Sequence, residues 1–255
     1  MDSHDKIGML EAELTSVLFD KVRRFWFQHI KDDQHIVVPS KDDAKKWFSR
    51  DESFDEACRT EFGAVLSLIR KLNVNGPDLL AAATPNTPLD WMALIILLDQ
   101  IPRNCYRDDE ASVAYTFFDP IALHVAFKAI ERDVPRQPDV HYRHAYRFWF
   151  YMPLEHSEEL EIQKKLALEH DKMFSESHRL ADEESSCDDA PTLYCRKVLL
   201  ERKDAWSEWE NTIRGIATAH AGLIESFGRY PHRNQALKRE STREELDHLQ
   251  NPSRT

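Results

Sequence analysis

Apolar residues along this chain recur at helical spacing and never alternate over a convincing length, which predicts helices rather than sheet. The spacing predicts a first helix over about Leu10 to Ile30, ending in RRFWFQHI, then a loop carrying a short turn. A second helix starts near Ser53, where Phe54, Cys58, Phe62, Val65, Leu66 and Ile69 share one face, and NVNGPDLL stops it. Thr87 is the expected N-cap of a third helix, with Pro88 in its first turn. That helix is apolar on every side from Trp91 to Leu98, so it is expected in the centre of the core, with Pro102 ending it.

Asp119 followed by Pro120 predicts another N-cap, and Ile121, Ala122, Val125, Ala126, Ala129 and Ile130 give the helix behind it an apolar stripe. An aromatic helix breaks near Pro153, and a further one is expected from about Ser157 to Phe174. The polar, acidic stretch 175–190 is expected to be a mobile loop. A long helix then runs from about Pro191 or later to Phe227, with Trp206, Trp209, Ile213, Ile216, His220, Leu223 and Phe227 along its core face. Gly228 suits a left-handed C-cap, and Thr242 with Glu245 a capping box for a short last helix. The expected fold is all-α, an array of antiparallel helices in a single compact domain over residues 10–249, with flexible termini at 1–9 and 250–255.

Composition narrows the partners. Apolar residues make up 42 % of 255, enough for a core, and only six glycines argue against a turn-rich β-sandwich. A formal net charge of -11 disfavours nucleic acid and anionic membrane surfaces as partners. The run Trp91 to Leu98 is far shorter than the ~20 residues of a membrane span. The start, MDSHDKIGML, is polar and of mixed charge, so no signal peptide is expected. Cys58, Cys105, Cys187 and Cys195 form no CxxC pair and are expected to stay reduced in a soluble, cytoplasmic protein. No phosphate-binding loop, dinucleotide fingerprint, nucleophile elbow or HExxH occurs, and no cofactor or metal is expected; a metal site from His156, His220, His232 and a glutamate is a third, lesser alternative, without a short-spacing signature behind it.

Four clusters carry candidate chemistry. His220 occupies a core-stripe position, either as a satisfied core histidine or facing an internal polar pocket. In LLDQIPRN, Asp99 at the end of an apolar helix must be paired or protonated. Asp99, Gln100, Arg103 and Asn104 there close a helix end or point donors into a cavity. In PLEHSEELEIQ, Glu155, His156 and Glu158 at an expected helix start offer carboxylate beside imidazole, the material of acid–base catalysis, although the helix dipole also favours acids there. In SFGRYPHRN, the dipole accounts for one cation more easily than for Arg229, His232 and Arg233 together with Asn234, and arginines grip carboxylate or phosphate in bidentate fashion.

Five segments in order, FWF near Phe25, LIILLDQIPRN, FFDPIALHVAFKAI, YMPLEHSEELEIQ and HAGLIESFGRYPHRNQAL, resemble a bacterial and fungal family known as domain of unknown function 924. The resemblance covers roughly Val22 to Leu249. It implies a tetratricopeptide-repeat-like helical fold and supplies no activity. Ile101 and Tyr230 stand where the family usually has Phe, and the acidic stretch is an extension of this chain. The polar residues above, with Gln163, match the family's motif positions, which points to a shared site. The expected function is binding of a small anionic molecule in a polar pocket, with Asp99, Gln100, Arg103, Asn104, Glu155, Arg229, Arg233 and Asn234 as ligand-binding residues. His156, Glu158, His220 and His232 are the expected proton-transfer groups of cofactor-free acid–base chemistry. The alternative is an interaction module whose cationic groove clamps a peptide carboxylate.

Overall fold

The computed structural model describes residues 3–182 and 189–250, which form fourteen α-helices and no strand. In chain order they are α1 Ser3–Glu13, α2 Ser16–Trp26, α3 Asp33–Val37, α4 Lys41–Phe48, α5 Glu52–Leu72, α6 Gly76–Ala83 and α7 Pro88–Cys105. The others are α8 Asp119–Glu131, α9 His144–Arg147, α10 Met152–Glu155, α11 Leu160–Asp182, α12 Ala190–Glu201, α13 Lys203–Phe227 and α14 Arg243–Gln250.

Helix α7 organises the core. Thr87 caps it, its Oγ1 accepting from the Asp90 amide at 3.1 Å while Asp90 accepts from the Thr87 amide at 3.0 Å. Every residue from Trp91 to Pro102 is buried, and α2, α5 and α8 pack around it. Full burial of each large apolar side chain is worth about 1.5–3 kcal/mol before entropy is counted. The apolar face of α5 packs on it through Phe62, Leu66 and Ile69, as the spacing predicts. A smaller cluster of Val37, Val38, Leu180, Val198, Leu199 and Trp206 joins α3 to the three long helices α11 to α13.

Pro102 does not end α7, which runs on to Cys105. Proline costs the Leu98 carbonyl one partner, but the next amide bonds resume, Tyr106 N–H reaching the Pro102 carbonyl at 2.8 Å. Asp99 and Arg103 therefore stay in helical register. Nor is Asp119 an N-cap: the π-helical turn Ala114–Phe118 feeds straight into α8, Asp119 is helical, and its carboxylate is free for ion pairs. Thr15 caps α2 and divides the expected first helix in two. The expected long final helix is likewise divided, at Arg202.

On α13 the buried stripe starts as expected at Trp206, Trp209 and Ile213 but moves on to Ala217 and Ile224, leaving Ile216 exposed. A 3–4 alternation averages 3.5 residues per turn and drifts against the 3.6 of a straight helix. Residues 3–9 are helical rather than a flexible end, and Gln250 closes α14. The expected acidic loop is helix as far as Asp182, held by buried Ser177, Leu180 and Ala181; residues 183–188, with Cys187, and 251–255 lie outside the described residues. Cys58, Cys105 and Cys195 are free and buried. Among the described residues one stretch, Asp108–Glu131, is long and apolar enough to cross a membrane; it packs in part on α6 and α7 and contains Asp119.

Candidate functional site

The C-terminal ends of α7 and α13 and the turn between α10 and α11 line a half-open cavity of about 490 Å³. Along and behind its wall runs a closed circuit of contacts. His156 Nδ1 lies 2.8 Å from Asp99, Asp99 is 3.5 Å from Arg103, and Arg103 is 2.7 Å from Asp119. Asp119 is 3.6 Å from Arg233, Arg233 lies 4.7 Å from the Tyr230 ring centre, and the Tyr230 and His220 rings are 5.3 Å apart. His220 Nδ1 lies 3.0 Å from Glu155, the neighbour of His156 in sequence, which closes the circuit. Arg50, Asp108, His232 and Gln235 form an exposed rim.

One half of the circuit can move protons. Asp99 is fully buried and, as a carboxylate, only accepts, so His156 donates from Nδ1 and presents Nε2 as the free base. Gln100 Nε2 donates to the other Asp99 oxygen at 2.5 Å. Burial pushes the Asp99 carboxyl up, but the charges of His156 and Arg103 and these hydrogen bonds outweigh it and hold it below its ordinary value. Glu155 is balanced the same way, burial against the neighbouring His220, His156 and His170, with a net downward shift. The His220–Glu155 approach is close but lies off the hydrogen-bond direction, leaving His220 Nδ1 without a hydrogen-bond partner. The turn carrying Glu155 and His156 is pinned by Tyr230 Oη and Gln163 Nε2, which both donate to the Glu155 carbonyl, at 2.5 and 3.0 Å.

The other half is cationic. Arg103 and Arg233 share Asp119, and neither Nε has a hydrogen-bond partner although both are buried. The π-helical turn supplies Tyr115, over whose ring the Arg233 guanidinium sits at 4.6 Å, with Tyr230 on it at 4.7 Å. Two aromatic contacts thus fix a guanidinium that is 5 % exposed. Burial pulls the Arg233 pKa down and Arg103 adds to this, whereas Arg103 is pushed up by Asp119 and Asp99 against the opposing effect of burial. His232 is exposed by surface area yet crowded on its inner side; desolvation there, with Arg233, His220 and Arg103, lowers it to about 4, so it is neutral at pH 7.

Six of the residues expected at the site line this cavity: Arg103, Glu155, His156, His220, His232 and Arg233. Three stand behind the wall. Asp99 and Gln100 orient His156, and Asn104 bonds the Gln100 carbonyl at 3.0 Å while accepting from Arg107 at 2.9 Å. Three others do not reach it and are spent on structure. Arg229 makes a two-pronged pair with Glu245 at 2.6 and 2.9 Å, and Asn234 donates to the same carboxylate at 3.1 Å. Glu158 is gripped by Arg239 at 2.7 and 3.0 Å and accepts from the Tyr230 amide at 2.9 Å. Glu155 ends α10 and is not at the start of the following helix as expected, whereas Glu158 lies in the turn that leads into α11. Tyr115 and Asp119 escape sequence reasoning, since neither the π-turn nor a shared counter-ion leaves a mark in apolar spacing. Among the described residues no group of three or more His, Cys, Asp or Glu side chains is arranged to hold a metal ion.

A family model described as bacterial protein of unknown function (DUF924) matches residues 22–253, and the chain belongs to that family. A solved structure, a protein of unknown function, ATU0120, from Agrobacterium tumefaciens, is similar over 92 % of this chain and 98 % of its own at 24 % identity, with a TM-score of 0.58. That likeness concerns the fold alone. No curated protein matches the chain.

Proposed function

We propose that this chain binds a small anionic metabolite in the cavity and moves protons on it with its own side chains. The observation that carries this is one cavity holding two imidazoles, each beside a buried carboxylate, and two arginines with unused donors. Arg233 and Arg103 hold the anionic group, because bidentate guanidinium contacts are strongest out of water. His156, oriented by Asp99, takes a proton from the atom next to that group through Nε2, and His220, backed by Glu155, is placed to return one. His232 stands at the rim and acts on entry rather than on the reacting atoms.

The interaction-module alternative draws less support. It needs an open groove lined by Arg103, Arg229 and Arg233, and Arg229 is committed to Glu245 instead. Three buried free thiols fit a reducing compartment, and we place the protein in the cytoplasm. The test is a thermal-shift screen of the native chain and Arg233→Ala against small anionic metabolites. A ligand of the native state raises its Tm by mass action, and the expected hit raises the native Tm but not that of the variant. If no compound separates the two proteins, the function proposed here fails.

A further inference from the structure

We infer that the anion this cavity takes is a monocarboxylate, not a phosphate; the inference rests on the anion-binding function proposed above and narrows it. Three observations converge. The first is shape. The Arg233 guanidinium lies 4.6 Å from the Tyr115 ring centre and 4.7 Å from that of Tyr230, so two aromatic rings take up space that a guest would need to stack on it, and its edge is what is left for hydrogen bonds. That edge is a planar row of donors, of which Nη1 lies 3.6 Å from Asp119 and the buried Nε has no partner within the protein. Either a carboxylate or a phosphate can take such an edge with two parallel hydrogen bonds, but the carboxylate then has no oxygen left over, whereas the phosphate has further charged oxygens that need donors elsewhere in the cavity.

The second observation is charge. The circuit contains two cations, Arg103 and Arg233, against three carboxylates, Asp99, Asp119 and Glu155. Arg50 and Arg107 at the mouth are already paired, with Asp108 at 3.0 Å and Asp55 at 2.6 Å, and His232 is neutral. Even with His156 and His220 both protonated, the circuit carries one net positive charge. A monocarboxylate cancels it. A phosphate dianion leaves a buried negative charge without compensation.

The third is the direction of the helices. Phosphate sites commonly gather helix N-termini, whose amides point at the anion. Here the long helices α7 and α13 both run towards the cavity with their C-terminal ends, placing the negative poles of two dipoles there. Those poles oppose a doubly charged guest more than a singly charged one. A single carboxylate held at Arg233 is the anion that this field tolerates.

The experiment compares two probes with the same ring, benzoate and phenyl phosphate, by isothermal titration into the full chain at about pH 6.5, where a free imidazole is half protonated and phenyl phosphate is largely the dianion. Benzoate is expected to bind at least tenfold tighter, and Arg233→Lys is expected to lose at least tenfold in benzoate affinity despite keeping the charge, because it loses the planar edge. Tyr115→Leu, which keeps every charge and removes one of the two rings, serves as the second variant should Arg233→Lys melt early; it is expected to weaken benzoate without reversing the preference. Equal binding, or tighter phenyl phosphate lost on Arg233→Lys, overturns the carboxylate assignment and leaves an anion site standing. Benzoate binding that neither variant weakens also overturns it. Binding of neither probe removes both the inference and the function it rests on.

Discussion

Arg229 and Arg233 stand four residues apart in one turn, yet they belong to two different kinds of region. Arg229 is part of a clasp that fastens α14 back onto the chain: Glu245 receives both prongs of its guanidinium, the Asn234 amide and the Thr242 backbone, so every charge there has a partner. Arg233 is part of the cavity wall, with a counter-ion 3.6 Å away that Arg103 also uses, and a buried Nε with nothing to bond. The clasp has the hallmarks of structure: every charged group in it is paired, and its unmatched buried atom is a neutral acceptor, Asn234 Oδ1. The cavity wall departs from that matching, and unmatched buried donors in a native protein call for a ligand or a cost elsewhere. Residue type is the same for the two arginines and they share one turn; the partners differ.

The comparison can be broken most directly at Asp99, on which the cavity wall is built as the clasp is built on Glu245. Asp99→Ala leaves Arg103 and His156 facing a buried void and is expected to cost about 3–5 kcal/mol, read by chemical denaturation. A loss below about 1 kcal/mol would show that the buried pair is not the foundation of the wall. Next in size, Arg233→Ala is expected to remove about 1.5–3 kcal/mol of anion binding, the worth of hydrogen bonds to a charged group, with little loss of Tm. Arg229→Ala should do the reverse, lowering Tm and leaving anion affinity unchanged. Titration of both variants with one carboxylate decides, and the same affinity loss in both would erase the distinction.

A pH series sharpens it further. Glu245 is held at about 2, first by its hydrogen bonds to Arg229 and then, against burial, by the Thr242 amide and Asn234. Its folded pKa lies below the unfolded value, so this stabilisation is fully present above about pH 4.3 and is lost as pH falls towards 2. Glu245→Gln is expected to lower stability at neutral pH and flatten that acid limb, and a variant with an unchanged limb would contradict it. The smallest effect belongs to His232→Ala. A rim imidazole that is already neutral at pH 7 gives up no charge, so anion affinity is expected to change by less than about 0.5 kcal/mol, in line with other surface replacements.

Capping chemistry carried much of the fold into the sequence. Thr87 with Asp90, Thr242 with Glu245, and Gly228 in the left-handed region at φ 66° all stand where local rules put them. These signals act within a few residues and need no tertiary partner. The site was legible only in outline. His156 and Arg103 show as chargeable groups in apolar surroundings, but their joint connection through Asp99 spans 57 residues on one side and four on the other. Asp119 was hidden because Asp-Pro is a good helix start, and the π-turn before it overrides that local preference. Glu158 and Arg229 looked like site residues because their neutralising partners, Arg239 and Glu245, lie in a segment with no apolar pattern to fold it in advance.

The contact of Arg233 with the rings of both Tyr115 and Tyr230 has a practical corollary. Two phenol chromophores are locked against a cation whose local field changes when a guest arrives. Their asymmetric surroundings give them near-ultraviolet circular dichroism. A shift in those tyrosine bands on adding a guest would report occupancy with no label and no turnover assay, whatever the compound. The molecule carries its own optical gauge.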